Sequence, residues 1–222
     1  MVGRCHLITD TRFGRGPLDL LPAALDAGVD VIQVRVKDRG DRDVLGVVEI
    51  VLEWCAPYGA CCIVDDRLDV ALAAGAHGVH LGRDDLPVAR ARAVAGPALI
   101  IGATARDPSS AVAAGADGAS YIGAGPAYAT ATKDGLPPPI GVEGVARVCA
   151  VTDLPVIAIG GVTADRVWEL ADAGASGVAV IGELADAADP GAAAHRLVAA
   201  VDRACGEGRA QAQGRARAQG RV

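Results

Sequence analysis

Eight short β-branched runs alternate with eight Ala-rich stretches along most of the chain, and this rhythm constrains the fold more than any other feature. The runs predict strands over 4–9, 30–36, 60–64, 77–81, 98–102, 118–122, 155–159 and 177–181. The stretches between them predict helices over 17–27, 42–56, 67–74, 86–95, 108–114, 141–150, 163–173 and 189–204. An Ala-Gly pair recurs at Ala27-Gly28, Ala74-Gly75, Ala114-Gly115 and Ala173-Gly174, ahead of strands two, four, six and eight. Each glycine stands where a helix must stop and a C-cap can take positive φ. A quarter-barrel βαβα unit used four times gives that spacing. The expected fold is a single-domain (β/α)8 TIM barrel over 1–205; an open, doubly wound sheet is the alternative, and eight consecutive units favour closure.

The 222 residues suit one domain of this kind, large enough to bury about 70% of its unfolded surface without a disulfide or metal staple. Apolar residues are 51% of the chain but aromatics only 3%, so the packing is by Ala, Val, Leu and Ile, as suits helices on a parallel sheet. A net charge of −6 argues against a nucleic-acid binder. Neither a membrane-spanning run nor a signal peptide is apparent, and the six cysteines show no CxxC pair or zinc spacing. Reduced, buried thiols and a cytoplasmic location are therefore expected. The sequence does not decide between a monomer and a homo-oligomer. Two segments stand apart. Residues 123–140, rich in Gly, Pro and Thr, are too long for an ordinary βα turn and read as a binding loop. Residues 206–222, an Arg/Gln/Gly/Ala tail, read as disordered and outside the fold.

In a barrel of this kind the working residues come from the carboxyl ends of the strands. Strand two ends in Gln33-Val34-Arg35-Val36-Lys37, and alternation puts Gln33, Arg35 and Lys37 on one face. Cations there need an anionic partner: a phosphate or pyrophosphate, or Asp and Glu of the chain itself. Strand three ends in Asp65-Asp66 and strand four leads to Asp85. Asp66 and Asp85 can share a hard cation such as Mg2+, or each can cap a helix. Thr104 after strand five suits a phosphate contact or simple turn chemistry, with Asp107 a cap before Pro108. Thr130, Thr132 and Lys133 on the long loop suit closure over a phosphate. Gly160-Gly161 after strand seven and Ile181-Gly182 after strand eight let backbone amides approach a phosphate. The four histidines, His6, His77, His80 and His195, have no Ser or Cys partner at a suggestive place and read as structural.

These motifs, in this order, resemble the thiamine-phosphate synthase family. The resemblance covers about residues 5–200. It runs through Leu7-Ile8-Thr9-Asp10, Gln33-Val34-Arg35-Val36-Lys37 and the stretch from Asp65 to Gly75. It continues through Gly78-Val79-His80-Leu81-Gly82, Gly125-Pro126, Thr130-Ala131-Thr132-Lys133 and Ile159-Gly160-Gly161-Val162-Thr163. It implies a TIM barrel that joins 4-amino-2-methyl-5-hydroxymethylpyrimidine diphosphate to 4-methyl-5-(2-phosphoethyl)thiazole, releasing pyrophosphate by a dissociative route. It further implies Mg2+ on Asp66 and Asp85. Pyrimidine diphosphate contacts fall to Gln33, Arg35, Lys37, Asp65, Thr104 and Lys133, with Arg35, Lys37 and Lys133 stabilising the leaving group. The thiazole phosphate falls to Thr130, Thr132, Gly161, Ile181 and Gly182. The partners implied are small phosphorylated molecules, with neither nucleic acid nor membrane.

The chain departs from the family pattern at Asp65, where Asn is usual, at Val36 for Glu and at Gly182 for Ser. Arg106-Asp107 replaces a small polar pair. A thiazole tautomerase on the same barrel is the nearest rival, but it calls for a His in the loop after strand six, and 123–140 contains none. A non-catalytic barrel that binds a thiamine precursor is the rival from another class.

Overall fold

The computed structural model describes residues 2–9, 11, 16–37, 39–132 and 135–219, with side chains through Ala204. Its eight strands are β1 (Cys5–Ile8), β2 (Val31–Val34), β3 (Cys61–Asp65), β4 (Gly78–Leu81), β5 (Ile100–Ala105), β6 (Tyr121–Ala124), β7 (Val156–Ile159) and β8 (Gly177–Val180). They form a closed barrel in sequence order, every neighbouring pair parallel, with β1 joined to β8 through Cys5 opposite Val178. The helices between them are α1 (Leu21–Asp26), α2 (Asp41–Cys55), α3 (Leu68–Ala74), α4 (Val88–Ala95), α5 (Pro108–Ala116), α6 (Gly141–Cys149) and α7 (Val167–Asp172). A four-residue helix α8 (Gly182–Ala185) precedes the last helix α9 (Pro190–Gln219).

The strand runs are apolar without a break because both faces are covered. Ile32, Val34, Cys62, Val64, Val79, Leu81, Ile101 and Ile122 point outward into the layer beneath the helices. The alternate residues Ile8, Val31, Ile63, Tyr121, Ile157 and Ala179 fill the barrel's interior. At the amino end, two polar side chains tie elements together. The Asp30 carboxylate accepts the backbone N–H groups of Arg4 (2.9 Å) and Cys5 (2.8 Å). The Arg92 guanidinium donates to the carbonyls of Gly96 (2.7 Å), Leu99 (2.7 Å) and Gly118 (2.9 Å), bridging the turns that enter β5 and β6.

Three boundaries differ from those expected. Strand β5 runs on to Ala105, so Thr104 is a strand residue rather than part of a turn. Ala103 and Ala105 on either side carry no strand signature to mark it, and pairing with Gly123 and Ala124 holds it extended. Positive φ is found at Gly28, Gly75 and Gly174, as the repeat predicts, but Gly115 lies inside α5 and Gly118 (φ 93°) ends that turn instead. The last helix, expected over 189–204, is drawn in backbone terms through Gln219; Ala, Arg and Gln are all strong helix formers. Residues 220–222 lie outside the described residues.

Among the described residues no helix is long and apolar enough to cross a membrane. Cys55, Cys61, Cys62 and Cys149 are free thiols. Burial pushes the thiols of Cys55 and Cys149 up to about 11, which keeps them protonated and unreactive.

His6 sits inside the barrel, its Nε2 3.2 Å from the Gly3 carbonyl and its ring edge-on to Tyr121. Burial lowers its pKa from 6.5 to about 4, because an imidazolium there would lose its hydration. The unfolded chain therefore binds a proton that the folded one refuses. Stability that is fully present above pH 6.5 falls as pH drops toward 4, by about 3 kcal/mol in total. Urea unfolding at pH 7 and pH 4.5 measures this fall, and His6→Asn should flatten it. Equal pH slopes for the two proteins would assign the loss to other groups.

Candidate active site at the barrel mouth

The carboxyl ends of the strands surround a cavity of about 650 Å3. It is lined by Gln33, Arg35, Asp65, Asp66, Thr104, Thr130, Thr132, Gly161, Ile181 and Gly182, so ten residues singled out in the sequence meet in one space. Lys37 and Asp85 stand at its edge through contacts with Asp66. Lys133 lies outside the described residues.

One end of the cavity is built on β2, β3 and β4. Thr9, buried after β1, fixes the backbone of Arg35: its hydroxyl accepts the Arg35 N–H at 2.8 Å and donates to the Arg35 carbonyl at 3.1 Å. Gln33 Nε2 donates to Asp65 Oδ1 at 2.6 Å. Arg35 Nε and Lys37 Nζ stand 3.6 and 3.7 Å from Asp65 Oδ2, and Lys37 is also paired to Asp66. The two cations are thus neutralised by carboxylates of the chain itself, the second of the two partners considered from sequence. Burial first, and the Asp66 charge second, push the Asp65 carboxyl up to about 6, against the pull of Lys37, Arg35 and Gln33. The side chain thus sits where a negative charge is costly.

Neither Asp66 nor Asp85 caps a helix. The residue before α3 is Arg67 and that before α4 is Pro87, and neither helix has a side-chain cap. Asp85 Oδ2 instead accepts the Gly82 N–H at 2.6 Å. Its carboxyl is hydrogen-bonded to that of Asp66, and burial and this contact both raise its pKa. Asp66 is the one non-glycine among the described residues with positive φ (64°), a conformation that Asp and Asn adopt more readily than other residues with a side chain. Two facing carboxyls, which repel one another once both are ionised, could hold a small, hard cation.

The middle of the cavity is part-buried and carries neither a carboxylate nor an arginine or lysine. His80 Nδ1 lies 3.0 Å from the Tyr121 hydroxyl and His80 Nε2 lies 3.0 Å from Thr104 Oγ1. Each hydroxyl can donate or accept, so either imidazole tautomer is satisfied. Tyr121 lies across Gly102, where a Cβ would come within 2.1 Å of its ring, so the phenol has its place only because residue 102 has no side chain. The sequence alone suggests a structural role for His80; the side chain lines the cavity and is bonded to Thr104. The chain segment alone gave no partner for it, because Thr104 and Tyr121 come from other strands.

The other end is formed by the long loop, β7 and β8. The loop continues the barrel's pairing at its start, with Ala127 N–H on the Ile159 carbonyl (2.7 Å) and Tyr128 N–H on that of Gly160 (2.9 Å). It then passes so close to Gly161 (φ 64°) that a Cβ there would stand 2.6 Å from the Ala129 carbonyl. Thr130 and Thr132 hydroxyls are 3.0 Å apart, and the Thr132 methyl would be 3.5 Å from a Cβ at Gly182. Arg166 and Arg196 also line this part, neither flagged by the sequence. Arg166 donates to the Gly161 carbonyl (2.5 Å) and lies 4.3 Å above the Tyr128 ring, which in turn bonds Glu169. Its position soon after Gly160-Gly161 was a usable signal; Arg196, midway along a helix, offered none.

Fold and mouth together define a (β/α)8-barrel protein with one cavity that has a charged end, a middle of imidazole and hydroxyls, and a loop-and-glycine end. The thiamine monophosphate synthase family model matches residues 5–184. Thiamine-phosphate synthase of Salinispora tropica is 54% identical over 203 residues, covering 90% of this chain and 98% of the relative. The thiamine-phosphate synthase of Methanoculleus marisnigri is 43% identical over 206 residues, with 92% and 98% covered. Among solved structures, thiamine phosphate pyrophosphorylase from Pyrococcus furiosus superposes with a TM-score of 0.83 at 34% identity, over 90% of this chain and 96% of that one. The chain belongs to the thiamine monophosphate synthase family.

Proposed function

We propose that the chain is a transferase that condenses 4-amino-2-methyl-5-hydroxymethylpyrimidine diphosphate with 4-methyl-5-(2-phosphoethyl)thiazole, giving thiamine phosphate and pyrophosphate. One observation carries this reading beyond family membership. A single cavity holds a cation-and-carboxylate end, a hydrogen-bonding middle and a loop-and-glycine end. A diphosphate, an aminopyrimidine ring and a second, monophosphorylated partner match those three parts in order.

In the reaction, the bond between the pyrimidine methylene carbon and the pyrophosphate oxygen breaks, and its electron pair leaves with the oxygen. The thiazole ring nitrogen then gives its lone pair to the methylene carbon. No side-chain nucleophile is required. Arg35 and Lys37, which in the free protein are paired to Asp65 and Asp66, turn to the leaving pyrophosphate and stabilise its growing charge. Asp66 and Asp85 would hold Mg2+, which supplies further positive charge on the pyrophosphate. Lys133 belongs with this group by family resemblance. Gln33, His80 and Thr104 orient the ring, while Thr130, Thr132 and the backbone at Gly161, Ile181 and Gly182 hold the thiazole phosphate. Orientation converts a two-substrate encounter into an effectively unimolecular step. A reducing, cytoplasmic setting accords with the free thiols.

The test is product formation from the two substrates and Mg2+, read after oxidation as fluorescent thiochrome phosphate. Metal-dependent fluorescence is the expected result. No product from protein that still binds both substrates would turn the reading toward a non-catalytic binder.

A further inference from the structure

The loop that carries Thr130 and Thr132 is tied across its base by a residue outside it. Arg106 directly follows β5, and its main chain is fixed there: the Arg106 N–H meets Ser110 Oγ at 3.2 Å, within the Asp107–Ser110 capping box of α5. From this anchored point the guanidinium spans the loop. Nε donates to the Gly125 carbonyl at 3.2 Å and Nη2 to the Pro138 carbonyl at 2.6 Å. These carbonyls stand where the crossing leaves β6 and where it returns toward α6.

The returning arm needs such a donor. Pro137, Pro138 and Pro139 have no backbone N–H, so this stretch can be held only through its carbonyls. Ile140 N–H on the Pro126 carbonyl (2.8 Å) closes the base on the far side of the prolines, and Arg106 closes it on the near side. A planar guanidinium with donors in a fixed fork can bridge two carbonyls at once, whereas a lysine ammonium on its flexible stem is poorly shaped to do so.

We propose that Arg106 is a positioning residue, a staple that sets the loop's height over the mouth and so places Thr130 and Thr132 against the second substrate. The inference rests on the proposed synthase reading for its kinetic consequence but not for its structural one. Arg106→Ala should raise the KM for thiazole phosphate by tenfold or more, while the KM for pyrimidine diphosphate changes less than twofold. Arg106→Lys should recover little of the loss, and added guanidinium ion at millimolar concentration should recover part of it in the alanine variant. Hydrogen–deuterium exchange of peptides covering 125–140 in the free protein should quicken in both variants, with peptides from α2 and β3 unchanged.

Unchanged exchange at 125–140, or equal losses for both substrates, would overturn the staple. Full rescue by lysine would overturn the need for a two-pronged bridge. If the parent protein makes no product yet Arg106→Ala still quickens exchange at the loop, the synthase reading fails and the staple stands.

Discussion

Asp66→Asn lowers kcat/KM by a factor on the order of a hundred to a thousand, while the folded protein is barely affected. The split follows from the two roles of this residue. Its backbone has φ 64°, which asparagine tolerates at least as well as aspartate, so the substitution leaves the turn intact. What disappears is one of the two facing carboxylates and the charge paired with Lys37. Loss of a single preorganised electrostatic group at a site of developing charge has an effect of about this size in other enzymes. Steady-state rates over a range of Mg2+ concentrations make the measurement, and the variant should need far more metal to approach its own maximum. Turnover equal to the parent's at ordinary Mg2+ would remove Asp66 from the pyrophosphate end altogether. Asp66→Ala is the less clean variant, since a non-glycine, non-Asx residue would also bear the strain of positive φ.

Asp65→Asn works in the opposite direction: it lowers the KM for pyrimidine diphosphate by about tenfold, or ~1.4 kcal/mol. Asp65 stands within 3.7 Å of both mouth cations, in a place where burial already disfavours its charge. A diphosphate entering the same space must displace that carboxylate from Arg35 and Lys37 and then sit beside it. Asparagine keeps an oxygen for the Gln33 amide, so the local geometry survives without the repulsion. Initial rates across a pyrimidine diphosphate series decide the matter. A KM that rises in the variant would mean that Asp65 is needed to hold the two cations in place, and that the acid at this position is an organiser of the mouth.

The barrel and most of its mouth were legible because both rest on local pattern. Strand runs covered on two faces are apolar throughout, and a cation face such as Gln33, Arg35 and Lys37 violates that pattern conspicuously. What escaped was whatever depends on a neighbour distant in sequence. Thr104 was placed in a turn because Ala103 and Ala105 carry no strand signature of their own; the partner strand makes them extended. His80 looked structural because its partners, Tyr121 and Thr104, lie 41 and 24 residues away. For Asp85 the sequence leaves two readings open, a metal ligand beside Asp66 or a helix cap before Leu86-Pro87; a turn amide and Asp66 claim its oxygens, so it is not a cap. Arg106 was visible only as a departure from a family pattern, its purpose hidden until the loop's two ends were seen beside it.

The ring of strands closes on itself, and two of its polar ties, Asp30 to the start of β1 and Arg92 to the turns before β5 and β6, lie at the end away from the cavity. Part of the architecture is thus held at the rim opposite the chemistry. A carboxylate exchanged for an amide, a glycine for a serine, or an arginine for a small residue at the upper rim leaves no strand edge exposed and no lower tie undone. The charge of the mouth can thus be revised one residue at a time with those lower ties intact.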